Sequence, residues 1–245
     1  ITSYDKAIAI DPNYAYALNN KAWTLNELSR YSEAITYCDR VIAIDPNYAS
    51  PLYNKGVALY NLKKYDEAIT NFEKYLKLVP NNTDALEYIN QSYFWKYYRE
   101  GVSLYDKEEY DDAISKIETS LQYASKSKIS KLDKDMASHG LAAVWNDKGV
   151  YLGSQGKSSE ELKCYEKAIS IDPNYALPWY NKGTLFIQQN KYLDSLICFD
   201  EAISIDPNYA ASWWNKGVAL EKLNRWNEAN ICFEKAKKLD YSYYY

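Results

Sequence analysis

The residues best suited to chemistry in this sequence are a Ser–His pair and a Gly-Lys-Ser run. Ser138 directly precedes His139, the single histidine of the chain, but a nucleophile and its base meet in space and not as sequence neighbours. A phosphate-binding loop that used the run at 156–158 would need a glycine where Tyr151 stands, and it would follow a strand. We therefore expect no nucleophilic catalysis and interpret residues 156–158 as a turn.

Adjacent carboxylates and cysteines are the remaining chemical candidates. Negative charge near the first turn of a helix complements the helix dipole, which accounts for Asp111 with Asp112 and for Glu160 with Glu161. The four cysteines lie in helical patterns, as expected of packing residues in a reducing compartment: Cys38, Cys164, Cys198 and Cys232. The sequence therefore predicts no enzyme, no metal site and no cofactor.

Composition excludes several classes of protein. The chain has 245 residues, of which 47% are apolar and 25% charged, with eight Gly and seven Pro, so it can fold around a large core. Its formal charge is −4 and it has no long Lys/Arg run, which argues against nucleic acid or an anionic membrane as a partner. No stretch approaches the roughly 20 apolar residues that span a bilayer. We expect a cytoplasmic protein.

The pentapeptide DPNYA repeats along the chain. It begins at Asp11, Asp45, Asp172 and Asp206, at intervals of 34, 127 and 34, and the related VPN at 79–81 comes 34 residues after Asp45. The remaining 93 residues hold two more repeats and 25 extra residues. Pro disfavours the helical conformation in the residue before it, and Asn can cap the next helix. DPNYA therefore predicts a turn between two helices.

Each repeat reads as two amphipathic helices. When the Ala of DPNYA is position one, position eight is small, which allows two antiparallel helices to cross closely: Ala22, Gly56, Gly101, Gly149, Gly183 and Gly217. Position twenty-four is aromatic in four repeats: Phe72, Tyr165, Phe199 and Phe233. The sequence predicts an all-α fold built from stacked helix pairs.

These motifs resemble the tetratricopeptide repeat (TPR), whose pattern is W-x2-L-G-x2-Y, A-x3-F and a closing P. The segments WYNKGTLF, SLICFDEAISIDP and WWNKGVAL are close matches, and the resemblance covers nearly the whole chain. It implies a right-handed α-solenoid, or superhelix, of about six TPR helix pairs. It also implies that the first helices line a concave groove, which in this family holds peptides or partner proteins.

The expected segments follow from the repeat. Residues 1–14 hold the second helix of an incomplete repeat, 15–82 two regular TPRs, 83–127 and 128–175 one TPR each with an extended first helix, and 176–245 two regular TPRs. The insertions contain no Pro, so we predict long helices over about 83–106 and about 130–152. Ile129, Leu132 and Met136 are predicted to form one packed stripe on the second long helix.

Lysine recurs at position seven wherever the turn carries Asp. The predicted ion pairs between repeats are Asp11–Lys21, Asp45–Lys55, Asp172–Lys182 and Asp206–Lys216. The alternative is that each lysine stem packs while its ammonium group stays in water.

Asparagines and aromatic residues mark the predicted binding surface. Position six is Asn20, Asn54, Asn181 and Asn215, and an amide suits a peptide backbone of any sequence. In the family, positions five, nine and twelve face the same groove, and here they carry Tyr53, Tyr98, Tyr180, Trp214, Trp23, Tyr60 and Tyr105. No lysine occupies position two, so the carboxylate clamp of chaperone-binding members is not expected. The alternative is that Asn and Tyr bond between neighbouring repeats.

The sequence leaves three classes of function. The first is a protein–protein interaction module that binds an extended peptide or a partner protein in the groove. The alternatives are a self-associating structural scaffold and a regulatory TPR segment of a larger enzyme. Residues 1–14 hold a second helix without its first, and the other end carries Tyr241, Tyr243, Tyr244 and Tyr245. Both ends therefore predict uncovered apolar surface and a homo-oligomer formed through the solenoid ends. Which ligand binds is not specified by any motif.

Overall fold

A computed structural model describes residues 1–239, and the tyrosines from Tyr241 to Tyr245 lie outside the described residues. The described part of the chain contains thirteen helices and no strand: α1 (Thr2–Ile10), α2 (Ala15–Glu27), α3 (Tyr31–Ile44), α4 (Ala49–Asn61), α5 (Tyr65–Leu78), α6 (Thr83–Tyr105), α7 (Tyr110–Ser125), α8 (Lys131–Ser154), α9 (Ser158–Ile171), α10 (Ala176–Gln188), α11 (Tyr192–Ile205), α12 (Ala210–Lys222) and α13 (Trp226–Leu239). The predicted all-α fold of helix pairs is confirmed.

The chain forms two compact units. Unit 1 comprises Ile1–Gly101 and Lys116–Lys134, and unit 2 comprises Val102–Ser115 and the residues from Asp135 onward. Within each unit consecutive helices pack on one another, as α2 does on α3 and α4 in unit 1, and α10 on α11 and α12 in unit 2.

Glycine at position eight lets the two helices of a pair approach closely. A Cβ atom added to Gly56 would lie 2.8 Å from the ring of Phe72, and one added to Gly183 would lie 2.7 Å from the ring of Phe199. Both phenylalanine rings are completely buried. The sequence predicted small residues at position eight and aromatic residues at position twenty-four, and the structure shows that these two positions contact each other at both crossings.

The DPNYA turn has a different internal bond from the one predicted. The Asp11 carboxylate accepts a hydrogen bond of 3.0 Å from the backbone N–H of Asn13, and the same bond recurs at Asp45, Asp172 and Asp206. Asparagine is not the helix cap, because Tyr14 occupies that place in front of α2 and makes no side-chain capping bond. The aspartate thus shapes the turn from within.

Because the turn aspartates bond inside their own turns, the predicted lysine pairs are wrong in their partners. Each of these four lysines instead pairs with a carboxylate sixteen residues earlier, on the second helix of the preceding pair. These ion pairs are Lys21 with Asp5, Lys55 with Asp39 at 2.6 Å, Lys182 with Glu166 at 3.0 Å and Lys216 with Asp200 at 2.5 Å. The lysines still connect adjacent repeats.

The two predicted long helices are confirmed: α6 has 23 residues and α8 has 24. The predicted apolar stripe on the second helix is wrong. Ile129 is buried, but Leu132 is 77% exposed and Met136 is exposed as well. The reason is that α8 begins at Lys131, so Ile129 precedes the helix and shares no helical face with the other two.

No helix within residues 1–239 is both long enough and apolar enough to cross a membrane. All four cysteines are buried free thiols, and burial raises the pKa of Cys38 to about 12 and that of Cys198 to about 11. Such thiols pack as small apolar groups and are poor nucleophiles. The Gly-Lys-Ser run lies at the turn between α8 and α9, where Gly156 adopts a φ of 74°.

Candidate functional site: an amide-floored pocket in unit 1

An open pocket of about 390 Å³ lies on the first helices of unit 1. Helices α2 and α4 supply most of its lining, and α5 adds one ring: Asn19, Asn20, Trp23, Ser50, Tyr53, Asn54 and Tyr75. The volume falls within the range of small-ligand sites. Four of the residues predicted from sequence, Asn20, Trp23, Tyr53 and Asn54, are therefore brought together here.

Two asparagines form the floor of this pocket. Asn54 donates a hydrogen bond of 3.0 Å from Nδ2 to Oδ1 of Asn19, and the residues are only 7% and 6% exposed. A second buried bond of 2.8 Å runs from Asn26 Nδ2 to the backbone carbonyl of Asn54. Within the described residues, Nδ2 of Asn19 and Oδ1 of Asn54 make no hydrogen bond. The floor thus presents one unused donor and one unused acceptor.

Aromatic side chains form the walls. Trp23 is 52% exposed, whereas Tyr53 is fixed by the ring of Tyr75 at 5.2 Å and by the ring of Phe72 at 5.6 Å. Burial raises the pKa of Tyr53 to about 12, so its hydroxyl is neutral at physiological pH. The lining residues include no Lys, Arg, Asp or Glu, and the pocket therefore offers rings and amides without charge.

Asn20 differs from the other asparagines at position six. Its side-chain amide makes no hydrogen bond within the described residues, although its backbone carbonyl accepts one from Thr24 at 2.8 Å. Asn20 lines the pocket together with the floor pair, and its amide adds a donor and an acceptor there.

The predicted aromatics Tyr60 and Tyr98 lie in unit 1 but do not line the pocket. The ring of Tyr60 contacts the rings of Tyr65 and Tyr88 at 5.9 and 5.3 Å, and Tyr98 stacks on Phe94 at 6.3 Å. Tyr60 thus packs between α4, α5 and α6, and Tyr98 packs on a neighbour in its own helix, α6.

In unit 2 the predicted asparagines are bonded between neighbouring repeats. Asn181 donates a bond of 2.9 Å to Oδ1 of Asn146, and Asn146 donates one of 2.9 Å to the carboxylate of Asp147. Asp147 also accepts the hydroxyl proton of Tyr105. Burial, followed by this bond and the charge of Asp147, raises the pKa of Tyr105. The predicted residues Asn181 and Tyr105 are thus joined into one network by Asp147.

The last predicted asparagine, Asn215, also bonds to the preceding repeat. Asn215 donates to the hydroxyl of Tyr180 at 3.2 Å and to that of Thr184 at 3.3 Å. The ring of Trp214 packs on the ring of Phe233 at 4.6 Å. The amides of Asn54, Asn181 and Asn215, unlike that of Asn20, therefore bond to the preceding first helix, which is the alternative that the sequence left open.

Sequence reasoning missed four residues of these arrangements: Asn19 and Asn146 at position five, Ser50 at position two, and Tyr75 on α5. The two asparagines could have been found, because Asn19 precedes Asn54 by 35 residues and Asn146 precedes Asn181 by the same interval. A spacing one longer than the repeat places the two side chains on neighbouring first helices, facing each other.

The fold and this surface define a helix-pair repeat protein. The chain belongs to the tetratricopeptide repeat family: models described as Tetratricopeptide repeat match residues 15–48, 49–82, 142–175, 164–196 and 210–243, and one described as TPR repeat matches residues 183–224. Residues 83–141, which contain both insertions, lie outside these matched segments.

Several solved structures are similar. The second TPR domain of human RPAP3, in complex with the HSP70 peptide SGPTIEEVD, is 26% identical and covers 44% of this chain and 89% of its own length, with a TM-score of 0.42. YrrB, a TPR protein with an unusual peptide-binding site, is 20% identical and covers 85% and 95%, with a TM-score of 0.35. The TPR2AB domain of yeast Sti1, in complex with pHSP90, is 16% identical and covers 94% and 92%, with a TM-score of 0.40.

These TM-scores are all below 0.5, so the family assignment rests on the sequence models and not on the superpositions. No curated protein matches the chain.

Proposed function

We propose that this chain is a protein–protein interaction module and that the pocket in unit 1 holds an extended peptide segment of the partner. The observation that carries the proposal is the floor of the pocket, where Asn19 Nδ2 and Asn54 Oδ1 are an unused donor and acceptor on nine-tenths buried side chains. A peptide group offers one N–H and one C=O, which complement this pair for any residue type.

The walls of the pocket add affinity without demanding a charge. Trp23 and Tyr53 are rigid rings with few rotatable bonds, and such side chains provide contact area at a low entropic cost. Asn20 can bond a second peptide group because its amide has no other partner within the described residues. The ligand we propose is therefore an extended segment with an apolar side chain against Trp23.

Acidic peptides are not the ligands we propose for this pocket. The RPAP3 domain binds a peptide that ends in EEVD, and recognition of carboxylates normally uses Arg or Lys. The lining residues here include neither, and position two carries Ser50 where a lysine clamp would need a cation. Weak dependence of binding on salt is expected for a neutral pocket.

The test compares two tryptophans of matched exposure. A peptide selected on the purified chain from a random library is titrated against the wild type, Trp23→Ala and Trp226→Ala; Trp226 is 54% exposed and lies in unit 2. Loss of a central aromatic contact should weaken binding at least about tenfold in Trp23→Ala, with Trp226→Ala unchanged. Equal affinity of all three proteins would overturn the proposal.

A second pair of variants tests the side-chain amide of Asn20. Asn20→Ala removes an amide that makes no bond in the fold, so it should weaken peptide binding by about fivefold and leave the unfolding midpoint unchanged. Ser32→Ala, an exposed change on α3, serves as the control. Unaltered affinity of Asn20→Ala would remove this residue from the site.

A further inference from the structure

Asp147 is a carboxylate where the repeat elsewhere places asparagine or arginine. It stands at position six of α8 and is partly exposed on the same first-helix surface as Asn181. Its two oxygens accept hydrogen bonds from two neutral donors, the hydroxyl of Tyr105 and the amide of Asn146. The chain thus places one negative charge at a position that elsewhere carries an amide or, at Arg99, a positive charge.

No cation compensates this charge within the described residues. Ion pairs are formed by neighbouring groups instead: Lys148, the next residue, pairs with Asp111, and Lys182 pairs with Glu166. No Lys, Arg or His nitrogen in residues 1–239 lies within 4.0 Å of the Asp147 carboxylate. A carboxylate that has lost part of its hydration is stabilised when a cation approaches.

A row of aromatic rings begins at the carboxylate. Tyr105 contacts Asp147 directly, the ring of Tyr110 lies 6.4 Å from that of Tyr105, and the ring of Tyr151 lies 5.7 Å from that of Tyr110. Ring faces attract ammonium and guanidinium groups. A carboxylate at the end of a row of tyrosines therefore matches a long cationic side chain, whose stem packs on a ring while its charged end pairs with the oxygens.

We propose that Asp147 and Tyr105 form a subsite in unit 2 that binds the side chain of an arginine or lysine of a peptide ligand. The subsite rests on the proposed function in that the cation belongs to a peptide. Tyr105 fixes the carboxylate and offers its ring, and Asn146 holds the other oxygen through a side chain that is itself anchored by Asn181. The charge makes this subsite selective, whereas the pocket of unit 1 is neutral.

The test uses two capped peptides, one with a single arginine among alanines and one with citrulline in its place. Citrulline keeps the shape and removes the charge. We expect the full-length wild type to bind the arginine peptide about fivefold more tightly than the citrulline peptide, measured by NMR titration. The preference should disappear in Asp147→Asn, which carries the residue that the repeat places there elsewhere.

One control variant and a second subsite variant separate local pairing from general charge. Glu201→Gln removes one negative charge from an exposed site on α11 and should keep the preference for arginine. Tyr105→Ala removes the ring and the hydroxyl bond to the carboxylate and should reduce the preference; this variant decides the question if Asp147→Asn does not fold. Equal binding of the two peptides by the wild type, or a preference that survives in Asp147→Asn, would overturn the subsite.

Failure of this subsite can be distinguished from failure of the proposed function. N-acetyl-arginine amide, titrated alone, should shift the resonances of Tyr105 and Asp147 even if no peptide occupies the unit 1 pocket. Conversely, loss of the arginine preference leaves the binding of a neutral peptide at Trp23 unaffected. If N-acetyl-arginine amide produces no shift at these residues, the subsite is wrong whatever the pocket of unit 1 binds.

Discussion

Unit 1 and unit 2 contain the same pair of asparagines, 35 residues apart, with opposite consequences. In unit 1 the pair Asn19–Asn54 leaves a donor and an acceptor facing an open pocket. In unit 2 the pair Asn146–Asn181 is extended by Asp147 and Tyr105, so Asn146 both donates and accepts. Asp147 therefore occupies the amide of Asn146 in unit 2, whereas the corresponding amide of Asn19 in unit 1 makes no hydrogen bond within the described residues and stays open to the ligand that we propose.

The largest expected effect on stability concerns the buried helix crossings, which both units contain. Phe72 and Phe199 are completely buried against Gly56 and Gly183, so Phe72→Ala and Phe199→Ala should each lower the free energy of unfolding by about 3–5 kcal/mol. Urea unfolding followed by circular dichroism measures both. A loss confined to one variant would show that the two crossings are not equivalent.

The asparagine pairs of the two units should differ in how much they contribute to the free energy of unfolding. Asn146 is 1% exposed and makes two side-chain bonds, so Asn146→Ala, which leaves Asn181 and Asp147 each short of a partner, should cost about 2–3 kcal/mol. Asn19→Ala breaks one bond beside an open pocket and should cost about 1 kcal/mol. The same unfolding experiment compares the two variants. Equal losses of unfolding free energy would contradict the distinction between the pair beside an open pocket in unit 1 and the pair bonded to Asp147 in unit 2.

Alkaline pH should destabilise both units through buried tyrosines. Burial raises the pKa of Tyr53 and Tyr60 in unit 1 from the ordinary value of 10.0 to about 12. A phenol with a raised folded pKa keeps its proton longer in the folded state, so its stabilisation is complete below about pH 10 and is lost as the pH rises toward 12.

In unit 2 the loss should extend to higher pH. Burial raises the pKa of Tyr105 and Tyr165, and the carboxylates of Asp147 and Glu161 raise them further. Urea midpoints measured across this pH range, together with the absorbance of tyrosinate, follow the process. Tyr53→Phe should flatten the profile, and a midpoint independent of pH would refute the assignment.

The smallest effect should come from the ion pairs between repeats. Lys55–Asp39 in unit 1 and Lys182–Glu166 in unit 2 are solvent-accessible pairs at 2.6 and 3.0 Å. Replacing either lysine by methionine keeps the packing stem and should change stability by at most about 1 kcal/mol. The difference between wild type and variant should vanish in high salt, and a larger loss in one unit would show that its pair is buried in solution.

The fold could be predicted from the sequence because position eight, position twenty-four and the DPNYA turns recur with one period. The partners of the lysines could not, since a carboxylate on the preceding helix and one in the turn are equally plausible from spacing alone. A further accommodation could not be predicted either. Position twenty is alanine in four repeats but the large Glu161 in α9, and Gly153 makes room for it, because a Cβ there would lie 2.6 Å from the Glu161 carboxyl carbon.

The binding surface was only partly predictable. The positions that face the groove in the family predicted that Asn20, Trp23, Tyr53 and Asn54 lie together. Which amide atoms make no hydrogen bond depends on contacts between repeats, and the sequence does not specify these. Tyr60 and Tyr98 occupy the predicted positions but pack on other rings instead: Tyr60 on Tyr65 and Tyr88 of the neighbouring helices, and Tyr98 on Phe94 of its own helix. Self-association through the ends and a cytoplasmic location stay predictions.

The central claim is that the amide floor of unit 1 binds a peptide backbone. The most direct measurement follows the side-chain amide resonances of Asn19 and Asn54 by NMR while the selected peptide is added, and repeats the titration with analogues in which one backbone N–H at a time is replaced by an ester oxygen. We expect both resonances to shift and one analogue to bind about fivefold more weakly. Saturating peptide that leaves the Asn19 and Asn54 amides unshifted would contradict the claim.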